Sequence, residues 1–250
     1  GFRQQVGDNV AFDVTGFYKN IKGQPGASRI IANPLSEIQT YNYITNGDFA
    51  TTKGLEFKMQ VRRTKNLSAL FNYTLTSAEG TGSGETAYLS AVDRNAETPT
   101  IVSPLDYSQT HRGSINLDYR FGADEGGLVF NRSGANFLFS FNSGHPYTSV
   151  YYPPGGQVNA YDAGVDYMLD TRSREAREPI NASETPWVFN TDLRLDKSFT
   201  ITEDLAATVY MRVTNLLNTK NPINVYEATG SSSDDGHLAN PDYSGGDVSV

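Results

Sequence analysis

The sequence predicts an all-β chain, part of an antiparallel transmembrane β-barrel with long extracellular loops and short periplasmic turns. Three observations carry this expectation. Segment after segment alternates apolar and polar side chains with a period of two, and several run for about ten residues, the length that crosses a bilayer when a strand is tilted in a barrel. Apolar residues make up only 38% of the 250 residues, yet there are 15 Tyr, 13 Phe and 23 Gly. A wall with one apolar face, one wet face and aromatic girdles reconciles those numbers, whereas disorder would not explain the aromatics. Finally, short and long connections alternate along the chain, as they do between the two ends of an outer-membrane barrel.

The clearest segment is the hairpin 187–215. In its first arm Phe189, Thr191, Leu193, Leu195 and Phe199 share one side, and Asn190, Asp192, Arg194, Asp196 and Ser198 the other. After a connection at 200–204, Leu205, Ala207, Val209, Met211 and Val213 oppose Thr208, Tyr210, Arg212 and Thr214. From the N-terminus, residues 10–18 form a first strand with Val10, Phe12 and Val14 on one face. Gly, Pro and Asn scattered through 19–37 indicate a loop. A second strand runs from about residue 38, interrupted at 46–48, to 62, where Leu55, Phe57, Met59 and Val61 oppose Glu56, Lys58, Gln60 and Arg62. A tight turn leads to 67–76, with Leu67, Ala69, Phe71, Tyr73 and Leu75 on its apolar side. Residues 77–107 are a long loop. Alternation resumes at 114–121 (Ile115, Leu117, Tyr119 and Phe121 against Ser114, Asn116, Asp118 and Arg120) and at 134–142 (Ala135, Phe137, Phe139 and Phe141). Residues 143–186 and 216–250 read as further long loops.

These strands number about seven. An open edge facing lipid leaves backbone groups unpaired at several kcal/mol each, and bacterial barrels have an even number of strands. The expectation is therefore part of a larger barrel, unless an eighth strand lies within 30–43 or 236–250. No apolar run approaches the roughly 20 residues of a membrane helix, and no signal-peptide pattern opens the chain. The chain has no cysteine, which removes disulfides and thiolate metal sites. A net charge of −8 argues against a nucleic-acid partner, which calls for a basic stripe.

Five stretches, in order, resemble the TonB-dependent receptors of the bacterial outer membrane. They are TNGDFATTKGLEFKMQ (45–60), NLSALFNYTLTSAE (66–79), PLDYSQTHRGSINLDYRFG (104–122), FNSGHPYT (141–148) and RVTNLLNTKNP (212–222). The resemblance implies the outer membrane of a Gram-negative-type bacterium and a barrel of many more strands. It also implies an N-terminal plug and an energy-coupling box that engages TonB. None of these additional parts is visible in the sequence, and the family's terminal strand with a C-terminal aromatic is missing. The chain is accordingly read as one partial barrel domain over residues 1–250, without plug or closing strand. Its expected partners are outer-membrane lipid, its own plug, TonB, a small-molecule or glycan substrate, and a surface lipoprotein.

Among chemical features, the charges on the polar faces stand out. Glu56, Lys58, Arg62, Asp118, Arg120, Asp192, Arg194 and Arg212 are expected to face the lumen, as is Asp13. Leu193, Leu195, Val209, Met211 and Val213 are expected to face lipid. The Tyr- and Pro-rich loop 144–186 is the candidate for ligand contact through Tyr147, Tyr151, Tyr152, Arg172 and Arg174, because aromatics and arginines suit sugar or chelate recognition. Tyr147, Tyr151, Tyr152 and Tyr161 alternatively mark the outer aromatic girdle. His111, His145 and His237 lie far apart, without zinc spacing, and read as solvent-exposed. Asp234 and Asp235 lack the rest of a calcium loop, and GTGSG at 80–84 lacks the strand and helix of a phosphate loop. No metal, cofactor or catalytic site is expected, and no nucleophile elbow suggests an enzyme. The functional expectation is active, TonB-coupled uptake of a siderophore-bound metal, a cobalamin-like compound or a glycan. A passive porin or surface-binding barrel and a soluble carbohydrate-binding β-sandwich are the alternatives.

Overall fold

The computed structural model describes residues 1–31, 40–84, 101–150, 176–202 and 205–234. Eight strands form one antiparallel sheet in chain order: β1 (Phe2–Val6), β2 (Val10–Ile31), β3 (Thr40–Thr64), β4 (Leu67–Gly80), β6 (His111–Arg120), β7 (Ser133–Asn142), β10 (Val188–Thr202) and β11 (Leu205–Val213). The two-residue β5 (Ser103–Pro104) adds to β4, and β8 (Pro146–Tyr147) pairs with β9 (Ser183–Glu184) in a small separate sheet. Among the described residues no strand covers the outer edge of β1 or of β11, so the sheet is open. Nor does a second large sheet pack against it, as a soluble sandwich would require.

The alternation read from the sequence becomes a pair of contrasting faces because neighbouring strands pair without slipping. One row runs Phe12, Met59, Phe71, Ile115, Phe139 across β2 to β7, and the next runs Val10, Val61, Ala69, Leu117, Phe137, Leu193, Val213. Large apolar side chains on this face are open to solvent in the isolated chain, among them Leu55, Leu117, Leu195, Val209 and Met211. Among the described residues buried apolar side chains are correspondingly few: Ala50, Ala78 and Leu105 form a small cluster, with Ile21 against it, at the end bearing the long connections, and Val150 and Val225 are buried outside it. A soluble domain could not leave its main apolar surface bare, whereas a lipid-facing wall must.

The structure differs from the sequence expectation in several features: β3 runs unbroken through 46–48, β4 extends to Gly80 and β6 begins at His111. Eight strands form the sheet, not seven, because FRQQV at β1 is too short and polar to show a period, yet pairs along its whole length with β2. The predicted loop 19–37 is strand as far as Ile31, paired residue by residue with β3. Its register shifts at Gly23, whose φ of 71° takes it out of the ladder, and again between Gln24 and Pro25, where proline has no N–H to donate. The turn after β6 spans 121–132 and contains one helical turn, Gly127–Phe130.

Beyond β11 the described residues close the upper edge of β10 without forming a strand. The Asn221 side-chain amide substitutes for a paired backbone. Its Oδ1 accepts the Phe189 N–H at 2.9 Å and its Nδ2 donates to the Phe189 carbonyl at 2.7 Å. The Leu216 N–H reaches the Thr191 carbonyl at 2.6 Å, and the Asn215 side chain receives and returns hydrogen bonds at Thr219. This is the structural content of the NLLNTKN stretch. Asn221→Ala removes two hydrogen bonds, so a loss of about 1–2 kcal/mol and faster amide exchange at Phe189 are expected; unchanged exchange at that amide would show that the clamp is not formed.

Candidate functional site

The polar face is built from the positions between the apolar rows. By register Ser68, Asp118, Asn136, Arg194 and Arg212 lie in one row, and Leu70, Asn116, Leu138 and Asp192 in the next. Glu56 and Lys58 project with them from β3, across from Thr74 and Asn72. At the end of β3 the pairing slips between Val61 and Thr64, so that two residues, Arg62 and Arg63, stand opposite one on β4. This bulge brings both arginines to the polar side: Arg62 borders a small hollow with Gln60 and Ala11, and Arg63 borders a larger one with Lys58 and Asp118. By register Glu56, Lys58, Asp118, Arg120, Asp192, Arg194 and Arg212 lie on this face, with Arg62 at the bulge on its margin. Their orientation toward a lumen is part of the function proposed below.

The larger hollow, about 540 Å³, contains an ion-pair chain near the short-turn end. Arg63 pairs with Asp118. Arg120 Nε donates to Asp118 Oδ1 at 3.0 Å, and its two terminal nitrogens grip the Asp196 carboxylate at 2.9 and 3.2 Å. The side chain of Asp196 is only 4% exposed, so this fork supplies most of what water would otherwise give it. Arg120 and Asp196 lie on either side of β7, with Gly134 between them in the register. A Cβ there would stand 2.9 Å from Arg120 Nη1 and 3.1 Å from Asp196 Oδ2, so the bridge passes through space that a side chain would occupy. Further across, Arg212 reaches Asp192 at 3.3 Å and Arg194 lies 4.7 Å from the Tyr210 ring centre. On β1, Arg3 pairs with Asp13.

Lys197 is the one cation in the apolar rows of β10 and β11, across from Val209. Its ammonium is satisfied outside the sheet, donating to the Val129 carbonyl at 2.8 Å and to both oxygens of Asn131. A long stem on the apolar face with a head at the polar margin is the arrangement a lysine takes at a membrane boundary. In the same turn Glu125 accepts hydrogen bonds from the Gly122 N–H and the Asn66 amide, which hold its carboxyl below the ordinary glutamate range. The folded group ionises below its unfolded value. Its contribution is therefore complete above the ordinary glutamate range and disappears as pH falls through the lowered folded value. A carbon-13 titration should give a Glu125 midpoint below that of an unstructured glutamate; an ordinary midpoint would mean that the turn is not held this way.

At the opposite end, near the long connections, the apolar face carries a continuous strip of rings. His111 stacks on Trp187 at 5.4 Å, Trp187 on Phe141 and Phe189 at 6.2 and 6.1 Å, and the Tyr73 hydroxyl meets His111 Nδ1 at 2.8 Å. His111 is thus half-buried among aromatics rather than the solvent-exposed residue expected of it. His145 meets Gln109 at 3.1 Å, and among the described residues no group of metal-ligating side chains assembles. His237 and Asp235 lie outside the described residues.

The PLDYS and SGHPY stretches hold the loop bases. Leu105 is 1% exposed against Ala50 and Ala78, Asn181 donates to the Pro104 carbonyl and to Asp106 at 2.7 Å each, and its N–H bonds Thr148 Oγ1 at 2.9 Å. Buried Ser143 accepts the His111 N–H at 3.1 Å. Gly144 has no room for a side chain, since a Cβ would lie 1.7 Å from the Thr185 carbonyl. The connections leaving β4 and β7 are therefore fastened to each other. Of the ligand candidates, Tyr147 lies in β8 beside this junction, across from Ser183. Tyr151, Tyr152, Arg172 and Arg174 lie outside the described residues, as does Tyr161.

A sheet with an aromatic-banded apolar face, a charged opposite face and its tight turns at one end is the wall of an outer-membrane β-barrel. The chain belongs to the TonB-dependent receptor-like β-barrel family, whose model matches residues 1–216, and this places it in the outer membrane of a Gram-negative bacterium. No curated protein matches the sequence. Among solved structures, the outer membrane transporter YddB from Escherichia coli has the same fold over 89% of this chain, with a TM-score of 0.59 and 13% identity. The chain spans 28% of the length of that transporter.

Proposed function

We propose that this chain is part of the wall of a receptor that takes up a scarce nutrient by TonB-coupled active transport. The nutrient classes that fit are a siderophore-bound metal, a cobalamin-like compound or a glycan. The observation that carries the reading is the charged face itself. Glu56, Lys58, Arg62, Asp118, Arg120, Asp192, Arg194 and Arg212 are gathered on one side of the sheet, where only a wetted interior can keep them solvated while the other side meets lipid. Tyr147, Tyr151, Tyr152, Arg172 and Arg174 are the ligand contacts on the extracellular loops. The plug of the same protein, TonB engaged through the N-terminal part, and a surface lipoprotein complete the assembly. The activity is transport rather than catalysis.

The test uses the full-length protein in a strain lacking its own copy. Uptake of labelled ferric siderophore, cobalamin and oligosaccharide is compared with and without TonB, and with and without a protonophore. Uptake of one of them that collapses in both treatments is expected. Uptake that continues unchanged would replace this reading with a passive porin.

A further inference from the structure

The polar face holds another hollow, of about 360 Å³, between β4, β6 and β7 toward the long connections. Two register rows build it: Thr74, Arg112 and Asn142 in the upper, Asn72, Ser114 and Ser140 in the lower. Arg112 is exposed, and among the described residues it makes no ion pair, side-chain hydrogen bond or ring contact. In this it differs from the other polar-face arginines of β6, β10 and β11. Arg120 is held by Asp118 and Asp196, Arg212 by Asp192, and Arg194 by the Tyr210 ring. The neighbours of Arg112 are amides and hydroxyls without a carboxylate. Glu56 and Lys58 lie across from Thr74 and Asn72 on β3, two strand spacings or roughly 10 Å from β6, where their opposite charges offset each other.

A guanidinium presents a planar fork of donors that matches a carboxylate, and hydroxyls and amides both donate to and accept from alcohol groups. A volume near 360 Å³ holds one unit of monosaccharide size. We propose that the Arg112 niche is a binding site for a polyhydroxylated carboxylate, a sugar-acid or hydroxy-acid unit, on the path of the transported ligand. Arg112 takes the carboxylate while Asn72, Thr74, Ser114, Ser140 and Asn142 take the hydroxyls. The inference rests on the uptake reading for its biological setting, but binding can be measured without transport.

D-gluconate and D-glucitol serve as probes, because they share their chain of hydroxyls and differ in charge. They are titrated by saturation-transfer NMR, at low salt, into the full-length protein in detergent. Gluconate is expected to bind at least ten-fold more tightly than glucitol, Arg112→Gln to abolish the difference and Arg112→Lys to keep part of it. Heat-modified gel migration checks that each variant is folded. Equal binding of the two probes to the unaltered protein, or a gluconate preference that survives in folded Arg112→Gln, overturns the proposal. An Arg112-dependent preference alongside TonB-independent uptake would leave the site standing and remove the transport reading, while the reverse would remove the site alone.

Discussion

Arginine in place of Leu117, in the full-length protein folded into lipid, is expected to destabilise the barrel by about 2–4 kcal/mol, whereas arginine in place of Asn116 changes stability by less than about 0.5 kcal/mol. The two residues are consecutive on β6 and equally deep in the sheet, so depth and strand propensity are nearly matched. Leu117 lies in the row with Ala69 and Phe137, Asn116 in the row with Leu70 and Leu138 on the face that bears Asp118 and Arg120. A cation on the first face must be drawn into hydrocarbon or bend away from it. On the second it meets water and the Asp118 carboxylate. Denaturant titration of vesicle-embedded protein, followed by Trp187 fluorescence, measures both variants. Equal losses would contradict the assignment of faces.

The second large effect concerns the bridge over β7. Asp196→Ala removes a nearly buried carboxylate and two charge-assisted hydrogen bonds from Arg120, and a cost of about 2–3 kcal/mol is expected, moderated because Arg120 keeps Asp118. Gly134→Val is expected to weaken the same bridge without removing either charge, and to cost less than Asp196→Ala, because the flexible ends of Arg120 and Asp196 must shift out of the way of its side chain. The two substitutions act on one interaction. Their combination should therefore cost clearly less than the sum, with a coupling of at least about 1 kcal/mol. Additive losses would mean that the glycine serves the backbone rather than the bridge.

The faces of the sheet were legible because a strand's period is two and both faces are chemically demanding. Each of Glu56, Lys58, Asp118, Asp192 and Arg212 could be assigned a side from its neighbours alone. Extent was less legible. β1 contributes only Phe2 and Val6 as apolar residues, and β2 beyond Tyr18 carries Gly23, Pro25 and Gly26, so neither shows alternation, yet both are held by a partner strand that local sequence does not reveal. Arg63 read as a turn residue because a regular register places it opposite Arg62. Two adjacent arginines at a strand end were the available hint of a bulge. Gly134 could not be read at all, since its role depends on Arg120 and Asp196, which come together only through β7. The motifs resembling the receptor family were legible as strings but not as devices. The Asn221 clamp on Phe189 and the Asn181 tie to Pro104 and Asp106 required the pairing of distant segments.

These 250 residues contain no cysteine, so a single cysteine placed among them has no competing thiol within this part of the wall. The most direct test of a wall with lipid on one side and water on the other is a spin-label scan along β6 at Ser114, Ile115, Asn116, Leu117 and Asp118, in the full-length protein reconstituted into lipid. Accessibility to oxygen is compared with accessibility to a water-soluble nickel chelate. Ile115 and Leu117 are expected to favour oxygen, and Ser114, Asn116 and Asp118 nickel, alternating residue by residue. An absence of alternation, or the opposite phase, would contradict such a wall.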